Sequence, residues 1–375
     1  MATLIDRFSR ANRVVIKIGS ALLVEESEGQ LRRNWLKALS SDIAALKKRG
    51  QEVLIVSSGS IALGRRILKL GTGTLKLEES QAAAAVGQVH LAHAYQEILG
   101  EENITVAQIL LTLSDTEERR RYLNARSTLS TLLSFGTVPV INENDTVATS
   151  EIRYGDNDRL AARVAQMVGA DCLVLLSDVD GLYTADPTHN PDALFIEEVS
   201  ELTDNIMSMG SGVKTSFGSG GMITKLKAAE IAMDAGCNMF IASGKIQHPL
   251  QAIETAKSKY TCFIAKDTPR NARKKWIAGS LMSQGAITID RGAENALQKG
   301  KSLLPAGVSE IKGEFERGDL ITLLNTDGKE LGQGLSAYSS SDAALIIGHK
   351  SNEIVAILGY AGRDEMIHRD ELALK

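Results

Sequence analysis

Over residues 1–265, short apolar runs alternate with longer stretches of helical periodicity. The runs at 14–18, 53–56, 105–110, 138–141, 172–176 and 239–242 read as strands. They are continuous rather than alternating, as strands covered on both faces are. Between them, 34–48, 61–70, 81–99, 120–133, 157–168 and 222–235 carry helical patterns. Such alternation predicts an α/β unit, a mostly parallel sheet sandwiched by helices. The pattern changes near Lys266. Residues 266–282 are polar, hold Pro269 and a basic cluster (Arg270, Arg273, Lys274, Lys275), and read as a linker. From 283 onward short runs at 286–290, 310–314 and 320–324 predict a small, mainly β domain, with a hairpin turn at 325–328 where Asp327-Gly328 tolerates positive φ.

Composition narrows the classes. Apolar residues make up 43% and charged residues 23%, ordinary for a globular protein. The formal net charge of −4 and an aromatic content of 4% argue against a nucleic-acid or anionic-membrane surface. Residues 283–375 hold 10 basic and 14 acidic side chains, the wrong sign for phosphate binding, although the adjacent basic cluster would bring that balance to zero. Cys172, Cys237 and Cys262 lie in or beside apolar runs and form no C-x-x-C pair, so they read as small buried hydrophobes. Residues 1–12 lack the apolar stretch of a signal peptide, and no run reaches the length of a membrane span. These features predict a cytoplasmic protein.

Candidate chemistry gathers in five segments. Lys17-Ile18-Gly19-Ser20 places an ammonium near the carboxyl end of a strand, where ligands of open α/β sheets bind. The alternative is an edge lysine reaching to water. Ser57-Ser58-Gly59-Ser60 follows the next strand and could bring backbone N–H groups to an anion, or merely cap a helix. Asn142-Glu143-Asn144-Asp145 and Gly155-Asp156-Asn157-Asp158 are dense in carboxylates and amides, fit for an ammonium, a metal, ribose or plain turn chemistry. Ser177-Asp178 leaves a buried strand at the level expected for a nucleotide. Gly218-Ser219-Gly220-Gly221-Met222-Ile223-Thr224-Lys225 opens a helix as a phosphate cradle would, without matching the Walker A pattern. His368-Arg369-Asp370 lacks any protein-kinase context, and His90 and His93 read as structural or solvent-facing.

Taken in order, these segments resemble the amino-acid kinase family, in the long form that carries a C-terminal PUA domain. The resemblance covers nearly the whole chain. Asn124-Ala125-Arg126, Asn142 to Asp145, Gly155 to Asp158, Gly181 to Pro187 and Gly218 to Lys225 carry it, joined by Ser302 to Pro305, Phe315 to Gly318 and Ile357 to Tyr360 in the tail. Ser57 and Ser219 stand where the family often has threonine, and both keep a hydroxyl. The resemblance implies a kinase domain over 1–265 and a PUA domain over 283–361, with a short tail to 375.

It further implies ATP-dependent phosphorylation of the side-chain carboxylate of L-glutamate to L-glutamyl 5-phosphate, the first step of proline biosynthesis, inhibited by proline. Lys17 and Lys225 would flank the transferred phosphoryl group, with Asp158 organising both. Ser58, Gly59, Asn142, Asp145 and Asn157 would hold glutamate. Lys17, Ser177, Asp178, Ser219, Gly220, Gly221, Met222, Ile223, Thr224 and Lys225 would hold ATP. Mg²⁺ would ride on the phosphates, with no side-chain metal ligand. A homo-oligomer and hand-off to a glutamyl phosphate reductase are also implied, with no role for RNA or membrane. The rival readings are a kinase of the same fold acting on aspartate, N-acetylglutamate or carbamate, and an RNA-binding protein acting through its PUA domain.

Overall fold

The apolar runs form strands because β-branched side chains pack well on a pleated surface buried from both sides. Val14, Val15 and Ile16 of β1 (Arg13–Ile18) are fully buried, as is the apolar run of β5 (Cys172–Ser177). The computed structural model describes residues 3–25, 29–71, 73–147, 157–210, 221–279 and 282–375. It divides into two compact units, one of residues 1–118 and 124–269, the other of 119–123 and 270–375.

Among the described residues the larger unit holds an eight-stranded sheet. Its other strands are β2 (Glu52–Ser57), β3 (Val106–Leu111), β4 (Val138–Glu143), β8 (Glu198–Val199), β9 (Asn238–Ser243) and β10 (Tyr260–Phe263). The order is β3-β4-β2-β1-β5-β9-β10-β8. Every pairing is parallel except β9 with β10. The short hairpin of β6 (Leu182–Tyr183) and β7 (Phe195–Ile196) stands apart from it. Register aligns Ile18 with Ser57 and Leu176, and Ser177 with Ser243. The carboxyl ends of β1, β2, β5 and β9 therefore share one edge, and Lys17–Ser20, Ser57–Ser60 and Ser177–Asp178 lie at it. The expected mostly parallel sheet is what forms. Sequence reading missed β6, β7, β8 and β10, runs of two to four residues that show too little periodicity to register.

The smaller unit has its own five-stranded sheet, in the order β12-β11-β13-β14-β15. These are β11 (Gly285–Ile289), β12 (Val308–Lys312), β13 (Leu320–Leu324), β14 (Glu330–Leu335) and β15 (Leu372–Leu374). Gly328, at φ +78°, closes the β13–β14 turn with a 3.0 Å hydrogen bond to the Asn325 carbonyl. Two stretches carry structure that the sequence reading did not describe. The stretch 266–282 contains the helix Pro269–Gly279, with Ile277 buried. Pro269 sits at its first position, where a missing N–H costs nothing, so the proline begins a helix here. In the stretch after 361, Met366, Ile367 and Leu372 are in the core and β15 pairs with β14. A three-residue strand among charged neighbours gives no readable alternation.

Candidate active site

Lys17 leaves the end of β1 and Asp158 stands in the first turn of the helix Asn157–Val168. Lys17 Nζ lies 2.7 Å from Asp158 Oδ1, and Lys225 Nζ lies 3.0 Å from Oδ2. The Thr224 hydroxyl donates to the same Oδ2 at 3.1 Å. All three charged residues are buried, with 8%, 2% and 5% exposure for Lys17, Asp158 and Lys225. Burial alone would push the Asp158 carboxyl up, but the two ammoniums outweigh it and hold the group well below the usual carboxylate range. One carboxylate between two cations leaves a net positive charge in a desolvated place, which suits an anion that can complete the balance.

The surrounding backbone favours an anion too. Lys225 and Thr224 lie in the first turn of the helix Met222–Asp234, whose cap residue Gly221 offers no side chain to the leading N–H groups. Gly210 lets the chain approach this turn closely, since a Cβ there would come within 2.9 Å of Ile223 Cα.

Beside Asp158 lies a cluster of amides and hydroxyls. Asn157 Nδ2 donates to the Ser58 hydroxyl at 2.7 Å, the Ser57 carbonyl at 2.9 Å and Asn142 Oδ1 at 3.2 Å. Its Oδ1 is buried and has no hydrogen-bond partner among the described residues. Asn142 Nδ2 donates to Gln88 Oε1 at 2.7 Å and to the Ser60 hydroxyl at 3.4 Å. Ser60 in turn donates to Asp145 Oδ2 at 3.4 Å. Burial pushes the Asp145 carboxyl up to about 6, opposed by the Ser60 hydroxyl. Two acceptors, Asn157 Oδ1 and the Asp145 carboxylate, are thus short of donors, as a site for an ammonium would be.

Gly59 makes the turn from β2 into the helix Ser60–Ile67 at φ +99°, a conformation L side chains rarely adopt, and this turn delivers Ser58 and Ser60 to the cluster. Ser177 and Asp178 sit at the same sheet edge, with the Ser177 hydroxyl donating to Asp178 at 3.0 Å. Ser177 is buried and Asp178 exposed, and Gly19 N–H donates to the Leu176 carbonyl at 3.4 Å, tying the β1 and β5 ends together. Of the expected site residues, Ser219 and Gly220 lie outside the described residues, as do Gly155, Asp156 and Gly218 of the motifs. The three cysteines are buried, and burial pushes each thiol up, so they offer no nucleophile. His90 and His93 face solvent.

Sequence reasoning missed Gln88 and the supporting Tyr95, whose hydroxyl is 2.9 Å from that of Ser57, and it named Ser60 only as part of a segment. It also missed Gly64 and Gly87. A Cβ on Gly64 would fall 1.8 Å from the Ala83 carbonyl oxygen, and one on Gly87 1.7 Å from that of Ser60. The helices Ser60–Ile67 and Leu77–Gly100 therefore cross backbone to backbone, which is how Gln88 reaches Asn142. Glycines inside helical patterns were the available signal, since each costs about 1 kcal/mol relative to alanine unless close packing requires it.

Comparison with known proteins agrees with this arrangement. The model of the amino acid kinase family matches residues 12–243, and that of the PUA domain matches 285–358. A protein of Paramagnetospirillum magneticum named Glutamate 5-kinase is 60% identical over 365 residues, 97% of this chain and 98% of that one. Another of that name, from Sinorhizobium fredii, is 59% identical over 374 residues, 100% of this chain and 95% of its own. With relatives matched over almost their full length and the sheet edge carrying the family's motifs, the chain belongs to the amino acid kinase family, with a PUA domain towards its C-terminus.

Proposed function

We propose that the protein transfers the γ-phosphoryl group of ATP to the side-chain carboxylate of L-glutamate, giving ADP and L-glutamyl 5-phosphate. The observation that carries this reading is the adjacency of Asn157 and Asp158 on one helical turn. Asn157 belongs to the cluster with acceptors to spare for an ammonium, and Asp158 to the pair of buried lysines. An amino acid bound by its ammonium on the first side presents its other end to the second. The names of the near-full-length relatives support glutamate as that amino acid.

In the reaction a carboxylate oxygen of glutamate attacks the γ-phosphorus, the bond to the bridging oxygen breaks, and ADP departs with the electron pair. No general base is needed, because the nucleophile is already an anion. Repulsion between two anions is the obstacle, and alignment with charge neutralisation is the remedy. Lys17 and Lys225 supply that neutralisation from fixed positions, held by Asp158. The N-terminus of the helix Met222–Asp234 would face the phosphates, with Ser177 and Asp178 towards the nucleotide. Mg²⁺ would spread the phosphate charge. Asp158 spends its oxygens on Lys17, Lys225 and Thr224, which leaves the metal to the phosphates.

The product is a labile acyl phosphate, so a reductase that consumes it promptly fits the chemistry, and the reading carries with it a role in proline synthesis, a homo-oligomer and a cytoplasmic location. Among the described residues no helix is long and apolar enough to cross a membrane. Proline, smaller but bearing the same α-ammonium and α-carboxylate, is expected to compete with glutamate. The test is a hydroxylamine-trapping assay with MgATP across glutamate, aspartate, N-acetylglutamate and carbamate. Hydroxamate from glutamate alone is expected. Preferred turnover of N-acetylglutamate, which has no ammonium for Asp145, would overturn the reading.

A further inference from the structure

Gln88 touches neither lysine nor Asp158, yet it is buried in the middle of a 24-residue helix, where a glutamine needs a reason. Its 2.7 Å bond from Asn142 Nδ2 is among the two shortest in the cluster. Asn142 then meets four partners. Its Oδ1 accepts from the Glu143 N–H at 2.9 Å and from Asn157 Nδ2 at 3.2 Å, while its Nδ2 serves Gln88 and Ser60. The two backbone groups, the Glu143 N–H and the Ser57 carbonyl, settle which end of each amide is oxygen. With Oδ1 fixed, Nδ2 of the planar amide turns to the opposite side, where the Ser60 contact is long and Gln88 supplies the short acceptor that holds the amide in place.

We propose that Gln88 is a positioning residue that fixes the placement of the acceptor groups in the substrate pocket and thereby its selectivity for an acceptor bearing an α-ammonium. The inference rests on the reading of this site as a glutamate pocket. With Asn142 Nδ2 directed by Gln88, one amide hydrogen falls to Ser60, whose oxygen then accepts and whose own proton must go to Asp145. The Asp145 oxygen not engaged by Ser60 remains an acceptor, as does Asn157 Oδ1 on the other side of Asn142. An ionised Asp145 can only accept and the Ser57 carbonyl orients Asn157, so what the relay of hydrogen bonds anchored at Gln88 fixes is where these two acceptors stand relative to one another. Without Gln88 the Asn142 donor has nowhere buried to go, and the relay loses its anchor at the cost of an unsatisfied group.

The backbone crossing makes this placement rigid. Gly87, next to Gln88, lies against the Ser60 carbonyl with no room for a Cβ, so Gln88 and Ser60 are set relative to one another by main chain alone. A relay between two helices this close has little freedom to adjust around a lost member.

The experiment compares glutamate with glutarate, which keeps both carboxylates and lacks the ammonium. For the wild type and for Gln88→Met, Gln88→Leu and Gln88→Glu, kcat and KM for both acceptors are measured by hydroxamate trapping, alongside Tm. Methionine and leucine fill the space without an acceptor, whereas glutamate keeps one. The expected result for the apolar variants is a KM for L-glutamate raised about tenfold with kcat little changed, and a glutamate-over-glutarate ratio of kcat/KM reduced by at least about fivefold. Gln88→Glu should keep the ratio within about twofold, since its carboxyl oxygen still accepts from Asn142. A merely structural role would lower Tm and leave the ratio unmoved, and that result in either folded apolar variant would overturn the proposal. Absence of glutamate turnover in the wild type would overturn the glutamate reading and this inference with it.

Discussion

Replacing Asp158 by asparagine takes one negative charge from between two ammoniums held at 2.7 and 3.0 Å, in a position with 2% exposure. Removing one partner of a buried ion pair typically costs about 3–5 kcal/mol, because the remaining charge is left without compensation. The arrangement sets its own ceiling. A stranded lysine can release its proton, and for an ordinary lysine of pKa ~10.4 that costs about 4.6 kcal/mol at pH 7, or ~1.36 kcal/mol for each of ~3.4 units. The expected loss is therefore roughly 3–4.6 kcal/mol by urea unfolding at pH 7. The ceiling also fixes a sign. A folded variant with one neutral lysine binds fewer protons than its unfolded chain, so its stability rises with pH, by up to ~1.4 kcal/mol per unit between about pH 7 and 10. In the wild type the dependence runs through the depressed Asp158 carboxyl instead: its contribution is complete above the ordinary aspartate range and fades only as pH falls below it. Hydroxamate trapping should show kcat lower by on the order of 10²–10³, with the KM for glutamate changed far less. A variant within about 1 kcal/mol of the wild type, equally stable from neutral to alkaline pH and active within tenfold, would refute the claim that this carboxylate holds the two lysines in place.

Asp145, raised to about 6 by burial, must be ionised to meet an ammonium, so kcat/KM for glutamate should fall as pH drops through 6, and Asp145→Asn should abolish that inflection and raise the KM for glutamate well above any change for ATP. A profile flat through that pH would show that the group does not contact substrate. Gly87→Ala, which would bring a methyl to 1.7 Å from the Ser60 carbonyl, should cost at least about 3 kcal/mol in denaturant unfolding, whereas Gly100→Ala, with open space around it, should be neutral or slightly stabilising. A chain ending at Lys266 keeps the whole main core and every residue placed at the candidate site, so it should trap hydroxamate within about tenfold of full length. Residues 119–123 group with the smaller unit, where Arg119 pairs with Asp319 at 3.2 Å and Leu123 packs on Ile277, Leu320 and Leu335. Their amide exchange should therefore accelerate in that shortened chain, and unchanged protection there would contradict the assignment of these residues.

What could be read from the sequence, and what could not, divides along a physical line. Lys17, Asp145, Asn157, Asp158 and Lys225 lie in segments that stood out because strand-to-helix connections put charged and amide side chains where an apolar run ends, although turn and capping chemistry fitted the same segments. The strands at 14–18 and 172–176 were legible because both faces are buried and the whole run is apolar. Gln88 was illegible for the opposite reason. In an alanine-rich helix a glutamine looks like a solvated residue, and only the depth of one helix crossing makes it a buried one. That depth is written in Gly64 and Gly87, but two glycines in separate helices do not say that they meet. The helix Pro269–Gly279 misled for a related reason: its polar face was visible, while the burial of Ile277 against residues nearly fifty and a hundred positions away was not. Chemistry that acts through the residue itself can be seen one segment at a time. A residue that acts by orienting another becomes visible only when two segments are brought together, so in this fold the groups that set selectivity are expected to be harder to find from sequence than those that carry the charge.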